Sequence, residues 1–133
     1  MKLHIFYSND MQNSEMYRRG FVVPLSKKAE KAIKNNNVDN NTAVDFYELP
    51  NNEVFESLWE KKLFRSMNDQ LGTAIDDYEE EVVERQKVSA LKETIKLFEN
   101  TSSLESLEKE VVSELKRLCD IALENRTSLF FIL

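Results

Sequence analysis

From Leu104 onward, Leu107, Val111, Leu115, Leu118 and Ala122 come at steps of three and four residues, which places them on one stripe of a helix running for about five turns. Ser102 with Glu105 predicts a capping box at its start, and Asn125 is a natural stop. The tail beyond it, Ser128-Leu129-Phe130-Phe131-Ile132-Leu133, is too apolar to lie in water and far short of the roughly 20 residues needed to cross a bilayer. It is therefore expected to add a strand to a sheet. A long amphipathic helix that hands over at once to a buried strand points to an α+β fold.

The rest of the chain supplies the partners. Residues 2–7 alternate, Leu3, Ile5 and Tyr7 against His4 and Phe6, and predict a first strand beside which the tail would lie. Ser8-Asn9-Asp10 ends it, and the stretch up to Pro24 is ambiguous. Ser26 can cap a short basic helix through Asn35 with Ala29, Ala32 and Ile33 inward. The asparagine-rich stretch 35–41 reads as a surface loop, because these side chains compete for backbone hydrogen bonds. Residues 43–49 predict a second strand, stopped by Pro50, which has no N–H for a ladder. From Asn51 or Asn52, the residues Phe55, Leu58, Trp59, Leu63, Met67 and Leu71 predict one helix ending near Gly72. Val88, Leu91, Ile95 and Phe98 predict another over about 88–99. The expectation is a single α+β domain over 1–133, a small antiparallel or mixed sheet of about three strands flanked by four helices.

Composition removes most catalytic chemistry. One histidine, His4, and one cysteine, Cys119, leave almost no material for a His/Cys metal site or a Cys-His pair, and a lone cysteine forms no internal disulfide. Cys119 falls on the buried side of its helix and reads as a small core hydrophobe; His4 reads as a strand residue. With only Gly20 and Gly72, a glycine-rich phosphate loop cannot be built. Trp59, Phe64 and Met67 match the helical period and read as core. No cofactor and no metal are expected. The absence of a long apolar run, and an amino terminus too quickly polar for a secretory signal, give a cytoplasmic location as the expectation.

Charge is the remaining resource. The formal net charge is −6, and it is uneven: residues 1–37 carry seven basic and three acidic groups, and the excess of acids lies entirely beyond them. Lys27, Lys28, Lys31 and Lys34 make one helix edge positive. On an acidic domain without a recognition motif, they read as a solvated face and not as a nucleic-acid site. The densest acidic run is Ile75-Asp76-Asp77-Tyr78-Glu79-Glu80-Glu81-Val82-Val83-Glu84. Paired carboxylates can do acid/base work or hold Mg²⁺, but acids adjacent along a chain diverge instead of converging in a pocket. A solvated face, or a patch that meets a basic partner, are the readings that remain.

The stretch Met67-Asn68-Asp69-Gln70-Leu71-Gly72-Thr73-Ala74-Ile75-Asp76-Asp77-Tyr78-Glu79-Glu80-Glu81 resembles a pattern in small bacterial immunity proteins of polymorphic toxin systems, including the CdiI-type proteins of contact-dependent growth inhibition. It covers about 15 of the 133 residues. The resemblance implies a cytoplasmic, non-catalytic protein that binds and neutralises one cognate toxin domain, often a nuclease. A nuclease presents a positive cleft to its polyanion, and an acidic protein can fill that cleft. Asp76, Asp77, Glu79, Glu80, Glu81 and Glu84 are then the candidate partner-binding residues, with Glu105, Glu108 and Glu114 as alternatives. No direct contact with nucleic acid or membrane is expected. The alternative function is a small helical adaptor or self-assembling protein.

Overall fold

A computed structural model describes residues 19–76 and 80–133. The expected strand at 2–7, with His4, lies outside the described residues. Among the described residues, five helices and a four-stranded antiparallel sheet make an α+β fold. In chain order these are β1 (Gly20–Pro24), α1 (Lys27–Lys34), β2 (Val44–Glu48), α2 (Asn52–Glu60), α3 (Leu63–Leu71), β3 (Glu80–Val83), α4 (Arg85–Thr101), α5 (Ser106–Asn125) and β4 (Leu129–Ile132). The strand order is β2-β1-β4-β3.

The tail is a strand, as its apolarity required, and it is central. Both its edges are taken, by β1 and by β3, whereas the sequence pointed to the 2–7 segment as its neighbour. Every residue of β1 and β4 is buried. Alternate side chains feed two cores: Phe21, Val23, Leu129 and Phe131 face α2 to α5, while Val22, Phe130 and Ile132 cluster with Ile33 of α1 on the opposite face. Phe131 sits at the middle of the larger core, with ring centroids 5.2 Å from Phe21 and 6.5 Å from Phe64.

Local chemistry sets the helix ends. Ser26 Oγ accepts from the Ala29 N–H at 3.0 Å and starts α1, which buries Ala29 and Ile33 but leaves Ala32 half-buried. Asn51 Oδ1 does the same for Val54 N–H at 2.8 Å and starts α2. The single helix expected over 51–72 is two. Lys62 takes a left-handed conformation, φ +71°, and the elbow brings Trp59 and Phe64 to 5.8 Å. The physical cause is an anchor: Lys61 Nζ donates to Glu108 Oε1 at 2.6 Å and to the Ser103 carbonyl at 2.8 Å, pinning the end of α2 to the start of α5. Trp59, expected in the core, is left 38% exposed at this elbow.

The capping box of α5 also lies one turn later than predicted. α4 extends to Thr101 and takes Ser102 as its own C-cap, so the box is built from Glu105 and Glu108, whose Oε1 accepts the Glu105 N–H at 2.8 Å. At the other end Arg126 is left-handed, φ +56°, and Thr127 N–H bonds back to the Ala122 carbonyl. Thr127 Oγ1 then donates to the Pro24 carbonyl at 2.7 Å, which launches β4 into the sheet beside β1.

Cys119 is fully buried on α5, as its place on the helix implied. Burial first, and then the neighbouring Asp120 charge, push its thiol up to about 12, against an opposing effect of Lys92. Since the thiolate is the reactive form, the folded protein is expected to react with a disulfide reagent at pH 8 at least about 100-fold more slowly than the urea-unfolded chain. Equal rates in the two states would contradict the packing of α5.

Candidate functional site

The acidic run is divided among three structural settings. Asp76 is exposed in the segment after α3. That segment is fastened to the helix it leaves: Gly72 closes α3 in the left-handed conformation, φ +67°, where a side chain would be strained. Asn68 then grips residues 73–75. Its Nδ2 donates to the Ile75 carbonyl at 3.0 Å, and its Oδ1 accepts from Ile75 N–H and Thr73 Oγ1, both at 2.8 Å. Ile75 is driven into the core. Asp77 and Glu79 lie outside the described residues.

Glu80 and Glu81 stand on β3, the outermost described strand on this side of the sheet, in register with Ile132 and Phe131 of β4. The sequence carried no strand here, only an acidic stretch. Glu81 works on nearby backbone: Oε1 accepts from Val82 N–H at 3.0 Å and Oε2 from Ala74 N–H at 2.9 Å. A charged side chain that covers strand N–H groups discourages a further strand from pairing. Glu84 precedes α4 and bonds to Lys34 Nζ at 2.7 Å and to Ser128 Oγ at 3.0 Å. The hydrogen bond from Lys34 holds its carboxyl below the usual range, burial works against that, and Ser128 and the Lys34 charge assist. Ser128 N–H also donates to Glu30 Oε2 at 2.7 Å, and the single Ser128 hydroxyl proton is shared between Glu30 Oε2 at 2.7 Å and Glu84 Oε1 at 3.0 Å. Glu84 therefore ties α1, α4 and β4 together, and Glu81 ties β3 to the segment behind α3. These two acids have architectural work, so a change that probes the surface of the run must spare them.

The alternatives on α5 separate in the same way. Glu108, expected as a surface acid, is 3% exposed and corrects that expectation: it is the buried partner of Lys61, with a further bond from Ser57 Oγ. Glu114 pairs with Arg117 at 2.6 Å, and Arg117 reaches on to Asp45 at 2.8 Å, joining α5 to β2. Glu105 is exposed.

Sequence reasoning missed one acidic row. Glu53, Glu56 and Glu60 are all exposed on α2, and their spacing of three and four residues puts them along one face. None has an ion-pair partner among the described residues. Their period was a usable signal, but it interleaves with the stronger apolar period of the same helix. Beside Glu60, Trp59 lines a cleft with Lys62, Arg65, Asn68 and Asp69.

Among the described residues, no three His, Cys, Asp or Glu side chains are grouped to hold a metal ion, and no helix is long and apolar enough to cross a membrane. In comparisons with known proteins, no family model, curated protein or solved structure matches the chain.

Proposed function

We propose that the protein is an immunity protein: a cytoplasmic inhibitor without catalytic activity that neutralises a cognate toxin domain, a basic nuclease, by direct contact through its acidic surface. The observation that carries this reading is the anchoring of the acidic run on both sides. Asn68 holds its first residue, Ile75, against α3, and β3 fixes its later residues to the central strand β4. The potential of the acids speeds and selects an encounter with a positive cleft.

The test is affinity capture from the native host, followed by binding of the purified partner. The expected partner is basic and toxic when expressed alone, and its affinity falls steeply as salt rises. Asp76→Lys/Asp77→Lys/Glu79→Lys, which spares the architectural Glu81 and Glu84, is expected to weaken binding by about 100-fold when compared with wild type under conditions where both are fully folded. Unchanged affinity would remove the run from the interface.

A self-assembling adaptor is the second reading, and exposed leucines favour it: Leu97 is 64% exposed on α4, and Leu107 and Leu123 are exposed on α5. Sedimentation of the isolated chain separates the two. The inhibitor reading expects no self-association at concentrations where the partner binds.

A further inference from the structure

Resting on the inhibitor reading, and locating a second point of contact for it, we infer that the α2–α3 elbow is an anchor for an arginine-bearing segment of the basic partner, with Trp59 as platform and Glu53, Glu56 and Glu60 as its acidic border. The aromatic side of the elbow comes first. Trp59 is 38% exposed although it belongs to an aromatic cluster, with Phe55 and Phe64 each 5.8 Å away. Those neighbours hold the ring still, so little freedom is lost when a partner covers it. The cluster already takes a guanidinium at another of its rings, where Arg19 lies 4.1 Å above Phe55. Indole is a better cation acceptor than a phenyl ring, and it is the indole that is open to a visitor.

The charge around the ring selects the visitor. α2 has no basic residue between Asn52 and Glu60, and the cation at its end, Lys61, is committed to Glu108. The three glutamates of the α2 row, by contrast, have no ion-pair partner among the described residues. The same cleft is also lined by Lys62 and Arg65, the latter 4.0 Å from Asp69, so a basic segment would lie toward the glutamates of α2. Asn68 lines the same cleft and grips Ile75, the residue before Asp76. Asn68 thus joins the cleft to the segment that leads into the acidic run, and an aromatic hot spot bordered by charge is the usual anatomy of a binding face.

Trp59 is the only tryptophan in the chain, so its emission reports on this cleft alone. The wild-type protein is titrated at low ionic strength with a hexa-arginine peptide, with hexa-lysine and hexa-glutamate as comparators, and total binding is followed in parallel by calorimetry. Hexa-arginine is expected to shift Trp59 emission saturably, hexa-lysine less so because ammonium does not stack, and hexa-glutamate not at all. Glu53→Gln/Glu56→Gln/Glu60→Gln should weaken the emission response about tenfold, and Lys62→Ala should strengthen it. Emission that does not move, or a triple glutamine variant that binds as well as wild type, overturns the anchor. If calorimetric binding persists with a silent Trp59 and is lost only in Asp76→Lys/Asp77→Lys/Glu79→Lys, the anchor is wrong and the acidic run stands. If Trp59 responds but no toxin is ever captured, the anchor stands as a surface for basic peptides and the inhibitor reading fails.

Discussion

Replacing Glu108 by alanine is expected to destabilise the fold by on the order of 3 kcal/mol. The carboxylate is 3% exposed, and its charge is balanced by Lys61 at 2.6 Å, the Glu105 N–H at 2.8 Å and the Ser57 hydroxyl. Removing it leaves the Glu105 N–H and the Ser57 hydroxyl without their acceptor and takes the counter-charge from Lys61, which keeps only the Ser103 carbonyl; breaking one side of such a pair costs far more than replacing both. The structural consequence is local first: Lys61 no longer pins α2 to α5, and the elbow at Lys62 loses its brace. Lys61→Met alone should be similarly harmful, whereas the double variant should cost clearly less than the two single losses together, the mark of a direct pair. Urea denaturation of the four proteins measures this.

The pH dependence of the same pair has a definite sign. Burial alone would raise the Glu108 carboxyl, but the hydrogen bonds from Glu105, Lys61 and Ser57, together with the Lys61 charge, hold it below the usual carboxylate range. A group with a depressed folded value contributes stability that is fully present above the ordinary glutamate range and is lost as pH falls through the folded value. Wild type should therefore lose more stability than Glu108→Gln on acidification, and nothing should distinguish the slopes of the two curves near pH 7. Parallel curves in acid would mean that the carboxylate is not held by its partners.

Phe131→Ala is expected to be the more damaging change, at about 3–5 kcal/mol. Phe131 is fully buried on the central strand, and its ring meets Phe21 of β1 and Phe64 of α3. Truncation opens a cavity where sheet and helices meet, and strands paired on both sides cannot shift to close it. Against a total stability of about 5–15 kcal/mol for a domain, the variant should be partly unfolded well below the wild-type midpoint. Leu97→Ala, 64% exposed on α4, is the control and should change stability by less than about 0.5 kcal/mol. A Phe131→Ala protein that melts with wild type would mean that β4 is not central.

The contrast between those two positions also marks what periodicity can reveal. The stripe of α5 and the apolar tail were legible because one face of each residue set had to leave water. β1 was not, because Phe21-Val22-Val23 is buried on both faces and shows no alternation. β3 was hidden for the opposite reason: only Val83 is fully buried, and the acids around it suggested a solvated stretch. The elbow at Lys62 was invisible because the apolar steps of three and four run on across it, while its cause, Glu108, lies 47 residues from Lys61 in the chain. In the acidic run, composition located the charge but could not show that Glu81 is spent on backbone N–H groups and Glu84 on Lys34. The α2 row shows the reverse: its three glutamates become conspicuous only once α2 is seen to end at Glu60 with all three exposed along it.

Growth protection tests the central claim most directly. Cells expressing the captured toxin domain are grown with wild-type protein or with Asp76→Lys/Asp77→Lys/Glu79→Lys at matched expression and matched unfolding midpoint. Neutralisation through the acidic run predicts full rescue by wild type and loss of rescue by the variant. Equal protection by both proteins, or none by wild type, would contradict it.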